Sequence, residues 1–102
     1  MVMSETSVHA VNELGAAARI IDVREPDEWS RGHIGHAEHV PLADLPERLD
    51  LLVGGTTYLV CHTGGRSSRA CEYAGEHGYD VVNVVGGMTA WSAAGYDVVT
   101  GG

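Results

Sequence analysis

The segment Thr56-Thr57-Tyr58-Leu59-Val60 runs without a break into Cys61-His62-Thr63-Gly64-Gly65-Arg66-Ser67-Ser68. Its β-branched and aromatic residues predict a strand that ends at a cysteine. A short Gly-rich loop follows, and a helix is expected from Arg66 to His77, closed by Gly78. A strand that turns through a loop into a helix is one half of a βαβ unit, so this junction already points to a parallel sheet. It also sets the cysteine at the carboxyl end of its strand, where ligands of open α/β sheets bind. Loop N–H groups, the positive end of a helix and a guanidinium can there converge on one sulfur. Such surroundings lower a cysteine pKa from about 8.5 into the range of roughly 3.5–7.5, which favours the reactive thiolate. The same cradle can hold a small oxyanion against the sulfur. A purely structural turn has no need of Cys61, two glycines and Arg66 together.

The rest of the chain alternates in the same manner. A short helix is expected over Val11 to Ala18, then a strand over Arg19 to Val23, too apolar for a solvated edge. Pro26 to Arg31 reads as a helical turn with proline at its start and Gly32 as its stop. Glu38 to Val40 is a brief strand ended by Pro41. Leucines at 42, 45, 49 and 52 predict an amphipathic helix over Leu42 to Leu52, with Pro46 at its first turn or at a kink. Asp80 to Val85 is a further strand, Met88 to Ala94 a last short helix anchored by Trp91, and Tyr96 to Val99 a possible final extended segment. Alternating strands and helices imply an α/β fold with a mostly parallel sheet and helices on both faces.

With 102 residues there is room for one domain over 1–102, with a core from about 7 to 99 and short flexible termini. The formal net charge is −8, and all six basic residues are arginines. So acidic a chain is a poor nucleic-acid binder, and the missing lysine excludes Schiff-base and P-loop chemistry. An anionic substrate must find local positive charge, for which Arg66 and Arg69 are the obvious source. No apolar run approaches the roughly 18–20 residues of a membrane span, so no membrane partner is expected. Met1 to Ser7 lack the basic and apolar regions of a secretory signal, and two cysteines make no disulfide framework. Both observations lead to the expectation of a cytoplasmic protein.

Three motifs in order resemble those of the rhodanese family. Asp22-Val23-Arg24-Glu25 with Glu28-Trp29, Gly32-His33-Ile34-Gly35-His36-Ala37 and Val40-Pro41-Leu42 looks like its first signature. Val84-Val85-Gly86-Gly87-Met88 with Ala90-Trp91 and Ala94-Gly95-Tyr96 looks like its second. The loop from Cys61 to Arg66 is similar to the six-residue active loop of thiosulfate sulfurtransferases. His39 departs from the pattern, standing where an asparagine is frequent. The resemblance spans roughly Ser7 to Val99 and implies a single-domain rhodanese with a five-stranded central sheet.

The resemblance further implies a mechanism. Cys61 would attack the outer sulfur of a small sulfur-containing anion such as thiosulfate, release sulfite and hold a persulfide. Cyanide, a thiol or a protein cysteine would then accept the sulfur. The N–H groups from His62 to Ser67 would stabilise the anionic persulfide, helped by the freedom of Gly64 and Gly65. Arg66 would orient the sulfonate, and His62 and Thr63 would line the mouth. No metal or organic cofactor is required. The same chemistry suits a relay that hands persulfide to a dedicated protein partner. A cysteine phosphatase fits less well, because its cradle has five residues between cysteine and arginine and Ser67 stands where that arginine belongs.

Other residues have plainer readings. Cys71 lies with Ala70, Ala74 and Gly75 on a small-residue stripe and reads as a buried hydrophobe. His33, His36 and His39 are spaced by three but fall in a Gly-rich turn that presents no common face, so no metal site is expected. Asp22 and Arg24 read as a supporting ion pair beneath the site, and Trp29 and Trp91 as core aromatics. Gly101-Gly102 reads as a frayed end.

Overall fold

A computed structural model describes residues 4–102. Met1 to Met3, part of the expected flexible N-terminal tail, lie outside the described residues. Five strands form one sheet: β1 (Glu5–Thr6), β2 (Ile20–Asp22), β3 (Glu38–His39), β4 (Thr57–Val60) and β5 (Val81–Val84). Their spatial order is β1-β5-β4-β2-β3, and every pairing is parallel. The strand that leads to Cys61 is therefore the middle one. The helices are α1 (Val8–Leu14), α2 (Pro26–Arg31), α3 (Gly65–Glu76) and α4 (Gly87–Ala93).

Alternation along the strands divides the core into two faces. Ile21, Val23, Leu59, Cys61 and Val81 pack with Ala70, Cys71 and Ala74 of α3 and with Leu45 and Leu52. Ile20, Val60 and Val84 pack on the other face with Val8 and Val11 of α1 and Met88 and Trp91 of α4. Leu59 is fully buried; such a side chain contributes about 1.5–3 kcal/mol through burial. Arg19 ties down the approach to β4, donating to Thr57 Oγ1 at 2.9 Å and to the carbonyls of Leu52, Val53 and Gly55 at 3.2, 2.8 and 3.0 Å.

Several elements differ from the sequence reading. Leu42 to Leu52 is two 3₁₀ segments, Leu42–Glu47 and Leu49–Leu52, rather than one amphipathic α-helix. Pro46 has no N–H and its ring opposes the carbonyl four residues back, so an α-turn cannot pass through it. The leucine spacing is three within each segment, the 3₁₀ period, and four only across the break at Arg48. α1 starts earlier than expected: Ser7 caps it, accepting from the Ala10 N–H at 3.2 Å, and Gly15–Ala17 continues as a 3₁₀ turn. The fifth strand is Glu5–Thr6, before the expected core boundary, and not Tyr96 to Val99. It satisfies the open edge of β5: the N–H groups of Asn83 in that strand and of Val85 just after it donate to the Ser4 and Thr6 carbonyls at 2.9 Å. Val99 instead makes an isolated antiparallel bridge with His33. The Gly101 N–H donates to Ser30 at 2.8 Å, so hydrogen bonding extends to this residue of the end read as frayed. Among the described residues no helix is long and apolar enough to cross a membrane.

Candidate active site

Cys61 follows directly on β4 and is only 1 % exposed. Its Sγ accepts from the Gly64 N–H at 3.1 Å and faces the Ser67 hydroxyl at 3.3 Å. Gly64, at φ 108°, sits in the left-handed region at the N-cap of α3, which turns its N–H toward the sulfur. Burial alone pushes the Cys61 thiol up. Hydrogen bonds from the Ser67 side chain and from the N–H groups of Ser67, Gly64 and Arg66 outweigh it, and the net displacement is downward. The arrangement favours the anionic form of a buried sulfur at the first turn of a helix.

Ser67 is itself fully buried and has one hydroxyl proton for three acceptors. These are Cys61 Sγ, the Gly64 carbonyl at 3.3 Å and Asn83 Oδ1 at 2.5 Å. Asn83 lies on β5, 3 % exposed, on the sheet face that α3 covers. With its amide turned over, Nδ2–H would donate to Ser67 Oγ and leave the hydroxyl proton for the sulfur. The sequence reading passed over Asn83. Its signal was an amide isolated in the valine run from Val81 to Val85.

The loop is also held from below by α4. The N–H groups of Met88 and Thr89 donate to the carbonyls of Cys61 and His62 at 2.8 and 2.9 Å. Gly87 allows this approach: a Cβ there would collide with the Cys61 carbonyl oxygen. The segment Gly86-Gly87-Met88 is thus the floor of the Cys61 loop.

Arg66 opens α3 beside the sulfur, but its fork is engaged. Nη1 and Nη2 donate to Glu28 Oε1 and Oε2 at 2.6 and 2.8 Å. This pairing holds the Glu28 carboxyl down at about 2 and raises the Arg66 guanidinium. Glu28 is fixed in turn by α2, where it accepts from the Glu25 N–H at 3.1 Å in a capping box. The sequence reading assigned this fork to a donor sulfonate; the structure places Glu28 on it. Arg69 is exposed, one turn further along α3.

Asp22 and Arg24 form the buried pair expected beneath the site. Arg24 Nε and Nη2 donate to the Asp22 carboxylate at 3.0 and 2.8 Å, and Nη2 reaches the Gly32 carbonyl at 2.7 Å. His33 and His39 stack on Trp29, with ring centroids 3.5 and 4.8 Å away, and each directs a ring nitrogen at a backbone carbonyl. They support the α2 region. His62 and Thr63 are exposed, and His62 lines a cleft of about 590 Å³ with Arg24, Glu28, Arg31, Met88 and Val98. Cys71 sits two turns along α3 from the loop, and burial pushes its thiol up to about 12.

Comparison with known proteins agrees with the fold. The family model of the rhodanese-like domain matches residues 7–94. The protein YtwF of Bacillus subtilis is 39 % identical over 95 residues, covering 89 % of this chain and 92 % of its own length. The thiosulfate sulfurtransferase PspE of Escherichia coli is 34 % identical over 76 residues, covering 72 % of this chain and 73 % of its own length. The crystal structure of a rhodanese-related protein from Thermoplasma volcanium superposes with a TM-score of 0.88 at 31 % identity, over 94 % of this chain and 97 % of that one. The chain belongs to the rhodanese-like domain family.

Proposed function

We propose that the protein is a sulfurtransferase that moves a sulfane sulfur from a donor to a thiophilic acceptor through a persulfide on Cys61. The observation that carries this reading is the sulfur of Cys61, held by the Gly64 N–H and the Ser67 hydroxyl at the opening of α3. The thiolate attacks the outer sulfur of the donor. A new S–S bond forms, the donor's own S–S bond breaks, and the leaving group departs with the electron pair as sulfite or a thiolate. The outer sulfur of the persulfide carries the negative charge, and loop N–H groups such as that of Gly64, already directed at Cys61, are the donors that would stabilise it. Cyanide, a small thiol or a protein cysteine then attacks that outer sulfur and restores the Cys61 thiolate. His62 and the cleft beside it give the acceptor its approach. Two free cysteines and the lack of a disulfide between them suit a reducing compartment such as the cytoplasm.

The test is a single-turnover assay. Thiosulfate without acceptor should release one sulfite per Cys61, and added cyanide should then yield one thiocyanate. A protein that releases no sulfite, and gains no sulfur from a persulfide donor, is not a sulfurtransferase.

A further inference from the structure

The arginines of the cleft and of the loop are already paired, which leaves Arg69, exposed one turn along α3, outside these pairs. Arg24 is held by Asp22 at 2.8 Å and Arg31 by Asp27 at 2.7 Å. The end-on edge of Arg66 carries the Glu28 carboxylate on both of its nitrogens. That edge presents two parallel N–H groups that could otherwise pair with two oxygens of a sulfonate. A sulfonate that used the remaining Nε edge would share Nη2 with Glu28 and rest against a like charge. Glu28 cannot easily leave, because Oε1 also caps α2 through the Glu25 N–H at 3.1 Å. Glu28 lines the same cleft as His62, so a donor that enters there meets the carboxylate.

We propose that Glu28 is a specificity-determining residue of the sulfur-transfer site. Its carboxylate occupies the guanidinium edge that a small dianion needs, and so sets the site against thiosulfate in favour of donors whose sulfane sulfur is carried on a thiol. This inference rests on the sulfurtransferase reading above. With thiosulfate, the Cys61 thiolate bonds to the outer sulfur while the S–S bond to the sulfonate breaks, and sulfite leaves as a dianion. With a persulfide R–S–SH, the thiolate bonds to the terminal sulfur, the donor S–S bond breaks, and a thiolate RS⁻ leaves with the electron pair. The second route forms no sulfite and places a single negative charge, that of the leaving thiolate, at the reacting sulfur.

Initial rates with thiosulfate and with glutathione persulfide as donors, and cyanide as acceptor, test this in the unaltered protein and in Glu28→Gln. Glutamine keeps an oxygen to accept the Glu25 N–H and removes the charge. The KM for thiosulfate should fall by about fivefold or more, the size of one like-charge contact near the surface. The kcat/KM for glutathione persulfide should change by less than about twofold, because no sulfonate dianion of that donor meets the Glu28 charge. Sulfate, a dianion that cannot react, should inhibit persulfide-driven turnover more strongly in the variant by a similar factor. If Glu28→Gln does not fold, Glu28→Met is neutral and of similar length, and the same outcomes are read. An unchanged KM for thiosulfate overturns the proposal. So does an equal loss with both donors in a folded variant, which would make Glu28 a positioning residue for Arg66. Failure of the sulfurtransferase reading itself looks different: the unaltered protein would accept sulfur from neither donor.

Discussion

Cys61 and Cys71 lie at the two ends of one stretch of core, 1 % and 3 % exposed and in the same hydrophobic cluster. Burial opposes ionisation at both. At Cys71 nothing answers it, the nearby Cys61 charge adds to it, and the thiol is pushed up to about 12. At Cys61 the N–H groups of the loop and the Ser67 hydroxyl reverse the sign. Exposure therefore does not distinguish the proposed nucleophile from the second cysteine. The difference is a loop whose donors point at one sulfur, laid on a floor made by Gly87, Met88 and Thr89.

The comparison breaks most visibly when each sulfur is removed. Cys61→Ser should abolish sulfur transfer with the fold intact, because a serine hydroxyl is far less acidic than a thiol. Cys71→Ala should keep turnover within about twofold, since Cys71 serves as a small hydrophobe and its loss leaves only a small cavity. Thiocyanate formation by the two variants, with melting curves as the fold control, decides this. Loss of transfer in a folded Cys71→Ala protein would show that the second sulfur takes part.

A smaller effect comes from weakening the cradle. Ser67→Ala removes a hydrogen bond to a charged acceptor, worth about 1.5–3 kcal/mol, or roughly one to two pKa units. The Cys61 pKa should move up toward the ordinary thiol value, and the pH profile of its alkylation should shift with it. No shift in that profile would mean that the Ser67 proton rests on Asn83 and not on sulfur.

The smallest effect concerns the Glu28–Arg66 pair. The folded Glu28 carboxyl is depressed from 4.5 to about 2, so its contribution is present above 4.5 and is lost as pH falls toward 2. The pair is partly exposed, with side chains 24 % and 35 % accessible, which limits the contribution to at most about 1 kcal/mol. Denaturation midpoints of the unaltered protein and Glu28→Gln should differ at neutral pH and converge as the pH approaches the depressed value. A gap that persists to that pH would mean that the charge on Glu28 is not what stabilises it.

The junction around Cys61 was legible in the sequence because every local signal there agrees: a β-branched strand, paired glycines and a helix with a small-residue stripe. The parallel sheet followed from the same alternation. Leu42 to Leu52 misled because its leucines satisfy a helical pattern, while Pro46 removes the hydrogen bond that an α-helix needs there. Glu5–Thr6 carries no periodicity; its strand state is imposed by the edge of β5. The partners of the site were the least readable part. Glu28 and Asn83 come from elements distant in sequence, and only the packing of α2 and β5 around α3 brings them to Arg66 and Ser67.

The most direct measurement is peptide-resolved mass spectrometry after treatment with thiosulfate or glutathione persulfide and blocking of free thiols. Trypsin cuts after Arg66 and Arg69, so Cys61 and Cys71 fall in different peptides. One added sulfur atom on the Cys61 peptide, absent from the Cys71 peptide and removed by cyanide, is the result expected. Sulfur on the Cys71 peptide, or none on Cys61 with either donor, would contradict the account.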